Sequence, residues 1–179
     1  EGSFEIGTGL LPAPDGRLTE RRTAHINGVA APASTALSET CRVVWLTPAM
    51  DRLFMDSPGG RRRFLDRLTL AFEPAHGRHA TAYERAMRER MKLLKEGGDA
   101  AWIEAIEAQM AASGLALANA RARTAERLKA DLAPLTGAFP QAAIAISGSF
   151  EETRMPGDEG EARFRETLAR RRRADAEAG

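Results

Sequence analysis

One helical period runs from Ala80 to Leu132 and breaks once, at Gly97-Gly98. Inward positions Ile103, Ile106, Met110, Ser113, Leu117, Ala120 and Thr124 step by three and four residues alternately, the pattern of a coiled-coil seam. Ser113, Ala120 and Thr124 are poor knobs, so the seam is too weak for a long free coiled coil. The reading is instead two antiparallel helices, about Ala80–Glu96 and Ala100–Leu132, joined by a turn at 97–99 with Asp99 as a cap. Tyr83, Met87, Met91 and Leu94 form the stripe of the first, and Met87, Met91 and Met110 are read as core. A shorter helix precedes this hairpin. Ser57-Pro58 is an N-cap followed by a proline whose missing N–H costs nothing at the first helical position, and Phe64, Leu65 and Leu68 share one face beyond it.

Ahead of the helices the period is closer to two. Phe4–Gly7 reads as a strand, Pro12–Arg17 as a turn, and Thr23–Ile26 leads into Asn27-Gly28, a strong hairpin signal. Ala31–Thr40 has no clear period, whereas Cys41–Leu46 is β-branched and aromatic enough for a buried strand stopped by Thr47-Pro48. After Pro134, Gln141–Ser147 resembles another buried strand, and Glu159–Arg173 returns to helix with Phe164 and Leu168 on one side. The β segments on either side of the arm are expected in one sheet. The fold class is therefore α+β, with 1–56 β-rich, 57–134 a helical arm and 135–179 a returning strand and helix.

The 179 residues are enough for a real core, and 26 basic against 25 acidic residues exclude a disordered polyelectrolyte. Only three basic residues are lysines, a skew that suits a G+C-rich genome and leaves room for a phosphate preference. No apolar stretch reaches membrane-spanning length and no signal-peptide pattern opens the chain, so a cytoplasmic protein without membrane contact is expected. Cys41 is the only cysteine, which excludes a disulfide framework. The first residue is Glu1 rather than methionine, and the chain reads as an excised piece of a larger protein.

The chemistry is limited. No GxxxxGK[ST] run can cradle a phosphate, and Gly7-Thr8-Gly9 lacks the third glycine of a dinucleotide fingerprint. His76-Gly77-Arg78-His79 offers two imidazoles, but it lacks a carboxylate or cysteine at ligand spacing and reads as a surface loop. Nothing orients His25 toward Cys41, and neither has a motif-level link to Asp66, so a small hydrolase is disfavoured and no catalytic or metal residue is assigned. Two basic clusters remain: Arg61-Arg62-Arg63 in the first turn of a helix, and Arg170-Arg171-Arg172-Arg173 near the end. Arginines at a helix start oppose its dipole and call for a compensating partner. That partner is Asp66, three or four residues from Arg63 or Arg62, or it is a phosphate backbone or a neighbouring ATPase surface. The four-arginine run reads as a solvated face that would add to a basic patch.

Trp45-Leu46-Thr47-Pro48, the run Ser57-Pro58-Gly59-Gly60-Arg61-Arg62-Arg63-Phe64-Leu65-Asp66, and Tyr83-Glu84-Arg85 with Arg88-Glu89-Arg90 and Leu93-Leu94-Lys95 together closely resemble the middle of the RecF family. Ile26-Asn27-Gly28 and Ile144-Ala145-Ile146 extend the resemblance over most of the chain. The resemblance implies a segment of an ABC-type, SMC-like DNA-repair ATPase head with an inserted helical arm. Its parent would bind ATP and Mg, dimerise with ATP, and act on duplex or gapped DNA with RecO and RecR. The Walker A, signature and Walker B motifs would lie outside this chain, which alone would be neither catalytic nor cofactor-binding. The loop from Thr47 to Pro58 would stand where related ATPases place their lid, with Asp51 as the one acidic residue carried over, since Ala49-Met50 departs from the usual acidic pair. Met91 after Arg90 departs from the family's usual asparagine. Arg61, Arg62, Arg63, Arg170, Arg171 and Arg172 would be contacts to DNA or a partner. The competing reading is a stand-alone helical scaffold module that binds a protein partner.

Overall fold

The computed structural model describes residues 3–12, 18–31, 37, 40–55, 57–135, 137, 140–148 and 157–178. Two compact units divide the chain, 1–48 and 49–179. Both strands and helices are present, as an α+β reading requires.

The first unit holds an antiparallel sheet in the order β1 (Ile6–Pro12), β2 (Leu18–Ile26), β3 (Val29–Ala30). Register runs from Ile6 opposite Ile26 to Leu10 opposite Arg22, with an irregularity before Pro12 meets Leu18. The Asn27-Gly28 turn forms as expected, with both residues at positive φ, 50° and 78°, which matches the twist of a two-residue hairpin. Asn27 earns its place twice: its Oδ1 accepts from the Glu5 N–H at 2.8 Å, and its own N–H donates to the Glu5 carbonyl at 2.9 Å. Most of the turn expected at 12–17, and most of Ala31–Thr40, lie outside the described residues.

Cys41–Leu46 is not the buried strand that its composition suggests. It pairs with no strand, and Val43, Val44, Trp45 and Leu46 are 49–75% exposed. Gln141–Ser147 likewise forms no strand. Both runs have β-compatible residues, but strand propensity measures fit to a pleated surface and produces a strand only where a ladder partner lies alongside. The single sheet expected to join the segments before and after the arm is therefore not found among the described residues.

The second unit holds α1 (Pro58–Phe72), α2 (Ala75–Glu96), α3 (Ala100–Leu132) and α4 (Gly157–Ala178), after a 3-10 turn at Pro48–Arg52. Ser57 caps α1, its hydroxyl accepting from the Gly60 N–H at 3.2 Å, and Asp99 caps α3 by accepting from the Trp102 N–H at 3.1 Å. Gly97 closes α2 in the left-handed conformation at φ 68°. Gly98 follows it, and its N–H reaches back to the Leu93 carbonyl at 2.8 Å.

Helix α2 begins five residues earlier than the period suggests. Pro74, with helical dihedrals, starts it, and the His76-Gly77-Arg78-His79 run is its first turns rather than a surface loop. A Cβ at Gly77 would come into contact with Leu70 Cδ1 of α1 at 3.4 Å.

The core lies between α2 and α3 and is closed by α4. Ala86, Leu93, Ile103, Ile106, Met110 and Leu168 are buried together, with Tyr83, Leu94 and Phe164 packed on them. Each large side chain of this kind contributes roughly 1.5–3 kcal/mol by leaving water. All seven seam positions of α3 are buried. On α2 the buried arc is Ala86, Arg90 and Leu93 rather than the Met87 line, and Met87 is 43% exposed.

Candidate functional site

The two basic clusters have different structural roles. Arg61, Arg62 and Arg63 all stand exposed on the first turn of α1, where Arg61 Nη1 reaches the Phe54 carbonyl at 3.5 Å. Phe54 and Met55, just before this turn, are 83% and 87% exposed, so an apolar pair adjoins the cations. Asp51 is exposed on the 3-10 turn of the same unit.

Asp66 is not the partner of Arg62 or Arg63 offered by their spacing. It turns inward, where Arg121 holds it in a two-pronged pair, Nε to Oδ1 at 2.7 Å and Nη2 to Oδ2 at 3.0 Å. His76, 2% exposed, meets the same Oδ1 through Nε2 at 2.9 Å, while its Nδ1 is buried with no hydrogen-bond partner among the described residues. Asp66 needs the ionised form to satisfy both neighbours. Burial pushes its carboxyl up, but the hydrogen bonds from His76 and Arg121 and the Arg121 charge outweigh this and hold it below the usual aspartate value.

The C-terminal arginines separate by helical phase. Arg170 is exposed, Arg171 is exposed with Asp175 3.8 Å away, and Arg173 pairs with Glu177 at 3.1 Å on the surface. Arg172 faces inward, its Nε 3.0 Å from Glu107 Oε1 and its Nη2 on Glu107 Oε2.

Glu107 is 2% exposed and also receives Arg90, Nε to Oε1 at 2.9 Å. Arg90, 3% exposed, spends its other two nitrogens on α4: Nη1 on Asp175 Oδ2 at 2.8 Å and Nη2 on the Leu168 carbonyl at 2.9 Å. Burial acts to raise the Glu107 carboxyl, yet the hydrogen bonds and charges of Arg172 and Arg90 hold it below the ordinary glutamate value. These groups escaped the sequence reading because Arg90 interrupts the α2 stripe and Glu107 sits one place off the α3 seam. The available signal was opposite charge at core-facing positions of two helices read as neighbours.

Among the described residues, no cluster of three His, Cys, Asp or Glu side chains could hold a metal ion, and His79 is exposed while His76 is committed to Asp66. No helix among them is long and apolar enough to cross a membrane. The candidate among the described residues is therefore the exposed Arg61-Arg62-Arg63 triplet at the start of α1, with the exposed Phe54 and Met55 just before it.

No family model matches the chain, and no solved structure matches it. Curated sequences do. The DNA replication and repair protein RecF of Mesorhizobium japonicum is 48% identical over all of this chain. Proteins of that same name from Rhizobium meliloti and a Caulobacter species are each 43% identical, over 100% and 97% of it. The chain spans about half the length of these relatives, 46–48%. Identity at this level over the whole chain places it in one family: it belongs to the RecF family.

Proposed function

We propose that this chain is the central part of a DNA-repair ATPase whose parent binds ATP and Mg, dimerises with nucleotide, and engages duplex or gapped DNA in the cytoplasm together with RecO and RecR. In this reading its strands belong to the ATPase head, its helical unit is an arm, and Asp51 lies on the lid loop. The name of these relatives, DNA replication and repair protein, supports the DNA-repair role. In this reading the nucleotide chemistry belongs to the parent, and no step of it is assigned to residues of this chain.

The observation that carries the nucleic-acid assignment is the Arg61-Arg62-Arg63 triplet. It is exposed at the start of α1, so that three adjacent guanidinium groups face solvent. A phosphate backbone is an anionic surface that exposed guanidinium groups match well. Arg170 and Arg171 are further contacts in this reading. Arg172 is assigned to the fold.

The test is fluorescence anisotropy of the full chain on duplex and gapped DNA at stepped salt. Weak binding is expected, with an affinity falling linearly on a log–log plot. Because three adjacent arginines diverge, at most two serve one surface, and replacing all three with alanine should reduce the slope by about two. An unchanged slope, or salt-insensitive binding selective for sequence, would overturn the assignment. Reading the gene on both sides of the segment tests the parent: a GxxxxGK[ST] loop upstream and an apolar strand ending in acidic residues downstream are expected.

A further inference from the structure

We propose that α4 is a releasable strap, held across the α2–α3 hairpin by four charges arranged so that it can leave without stranding any of them. The four are Arg90 and Glu107 of the hairpin and Arg172 and Asp175 of α4. In the docked state Arg90 bridges Glu107 and Asp175, and Glu107 bridges Arg90 and Arg172. Every charged cross-contact joins opposite charges, Arg172 also lying 4.0 Å from Glu104 Oε1, and the quartet itself is neutral.

The division between the two sides is what sets this cluster apart from an ordinary buried ion pair. A buried charge that loses its partner while staying shielded from water is strongly unfavourable. Here each side is neutral by itself. The hairpin keeps the Arg90–Glu107 pair, 2.9 Å apart, formed entirely within α2 and α3. Helix α4 keeps Asp175 beside Arg171, already 3.8 Å away at i,i+4 spacing, and three residues from Arg172. Release therefore breaks the Arg90–Asp175 and Arg172–Glu107 contacts but leaves each part with opposite charges of its own side by side.

Apolar attachment of α4 is slight by comparison. Leu168 is its only buried hydrophobic side chain among the described residues, with Phe164 partly buried beside it. The outer surface carries Glu159, Arg163, Arg165, Glu166, Arg170, Arg173 and Glu177, all exposed, and gives no second apolar face. Arg90 also donates to the Leu168 carbonyl at 2.9 Å, so one guanidinium fixes the height of α4 through both a side chain and the backbone. The described residues between Leu132 and Gly157 form no helix or strand.

Amide hydrogen exchange of the full chain tests this. In the unmodified protein the α4 amides should exchange through an opening that leaves the α2 and α3 core amides protected. Asp175→Asn removes one arm of the Arg90 grip while Arg90 keeps Glu107, and should speed α4 exchange about tenfold with α2 and α3 unchanged. Arg172→Met should do the same from the Glu107 side. Since Arg172→Met also leaves Glu107 with a single partner, Asp175→Asn at a partly exposed position decides the matter if that variant misfolds. Protection of α4 equal to that of α2 and α3, rising and falling with them in every variant, would make the four helices one cooperative unit and overturn the strap.

Discussion

Arg121 and Asp66 lie 55 residues apart in sequence and form a two-pronged pair at 2.7 and 3.0 Å that ties α3 to α1. The Asp66 side chain is 28% exposed and that of Arg121 14%, so the pair is only partly desolvated. Removing one partner leaves the other charge facing a cluster built for it. Arg121→Met should therefore cost about 3 kcal/mol, the lower end for a buried pair, read as a shift in the urea midpoint. Asp66→Asn should cost a similar amount, and the double variant less than the sum of the two singles.

Glu107 gives the fold an acid limit. Its carboxyl is held below the ordinary glutamate value by Arg172 and Arg90 against the opposing effect of burial, so the unfolded chain takes up the proton first as pH falls. Its contribution is complete above the ordinary glutamate pKa, about 4.3, and is lost as the solution is acidified below that value towards the folded one. Thermal unfolding from pH 7 down to 3 should show that decline. Glu107→Gln should lower stability at pH 7 and flatten the acid limb. An acid limb of unchanged steepness in the variant would show that other carboxylates set it.

The boundaries at Ser57, Gly97 and Asp99 and the α3 seam were legible because they depend on local chemistry, whereas the start of α2 was not. Ser57, Asp99 and Gly97 act on backbone groups within a few residues, and the seam positions follow from a period that one helix fixes alone. The strands at 41–46 and 141–147 were misread because a strand needs a neighbour that local composition does not supply. The inner charge clusters were missed for a related reason. Arg90 and Arg172 belong to segments rich in surface arginines, and only the packing of α4 on the hairpin distinguishes them from Arg88 and Arg173, which pair at the surface with Glu84 and Glu177.

Gly98 is required for room rather than for its dihedrals. A Cβ there would lie 2.8 Å from Leu93 Cδ2 and 3.1 Å from Leu93 Cβ, and Leu93 is a buried member of the core that has little freedom to move aside. Gly97 is the opposite case, with open space around it but a φ of 68°. Gly97→Ala should cost about 1 kcal/mol, the ordinary strain of a left-handed residue. Gly98→Ala should cost more, about 1–3 kcal/mol, as an overpacked core does. Urea denaturation of the two variants side by side checks the order, and a smaller loss at Gly98 than at Gly97 would mean that Leu93 repacks freely.

Methionines 87 and 110 separate pattern from packing. Both sit at helical spacing and both read as core, yet Met110 is 3% exposed between α2 and α3 and Met87 is 43% exposed. Met110→Ala leaves a void that close-packed neighbours fill only in part and should cost about 2–5 kcal/mol. Met87→Ala should stay within about 0.5 kcal/mol, since alanine has the better helix propensity and little packing is lost. The inward face of α2 is set by Ala86, Arg90 and Leu93, a phase chosen so that Arg90 meets Glu107. Comparable losses at both methionines would place the buried face of α2 where the hydrophobic pattern alone puts it, and the Arg90–Glu107 pairing would then have to be abandoned.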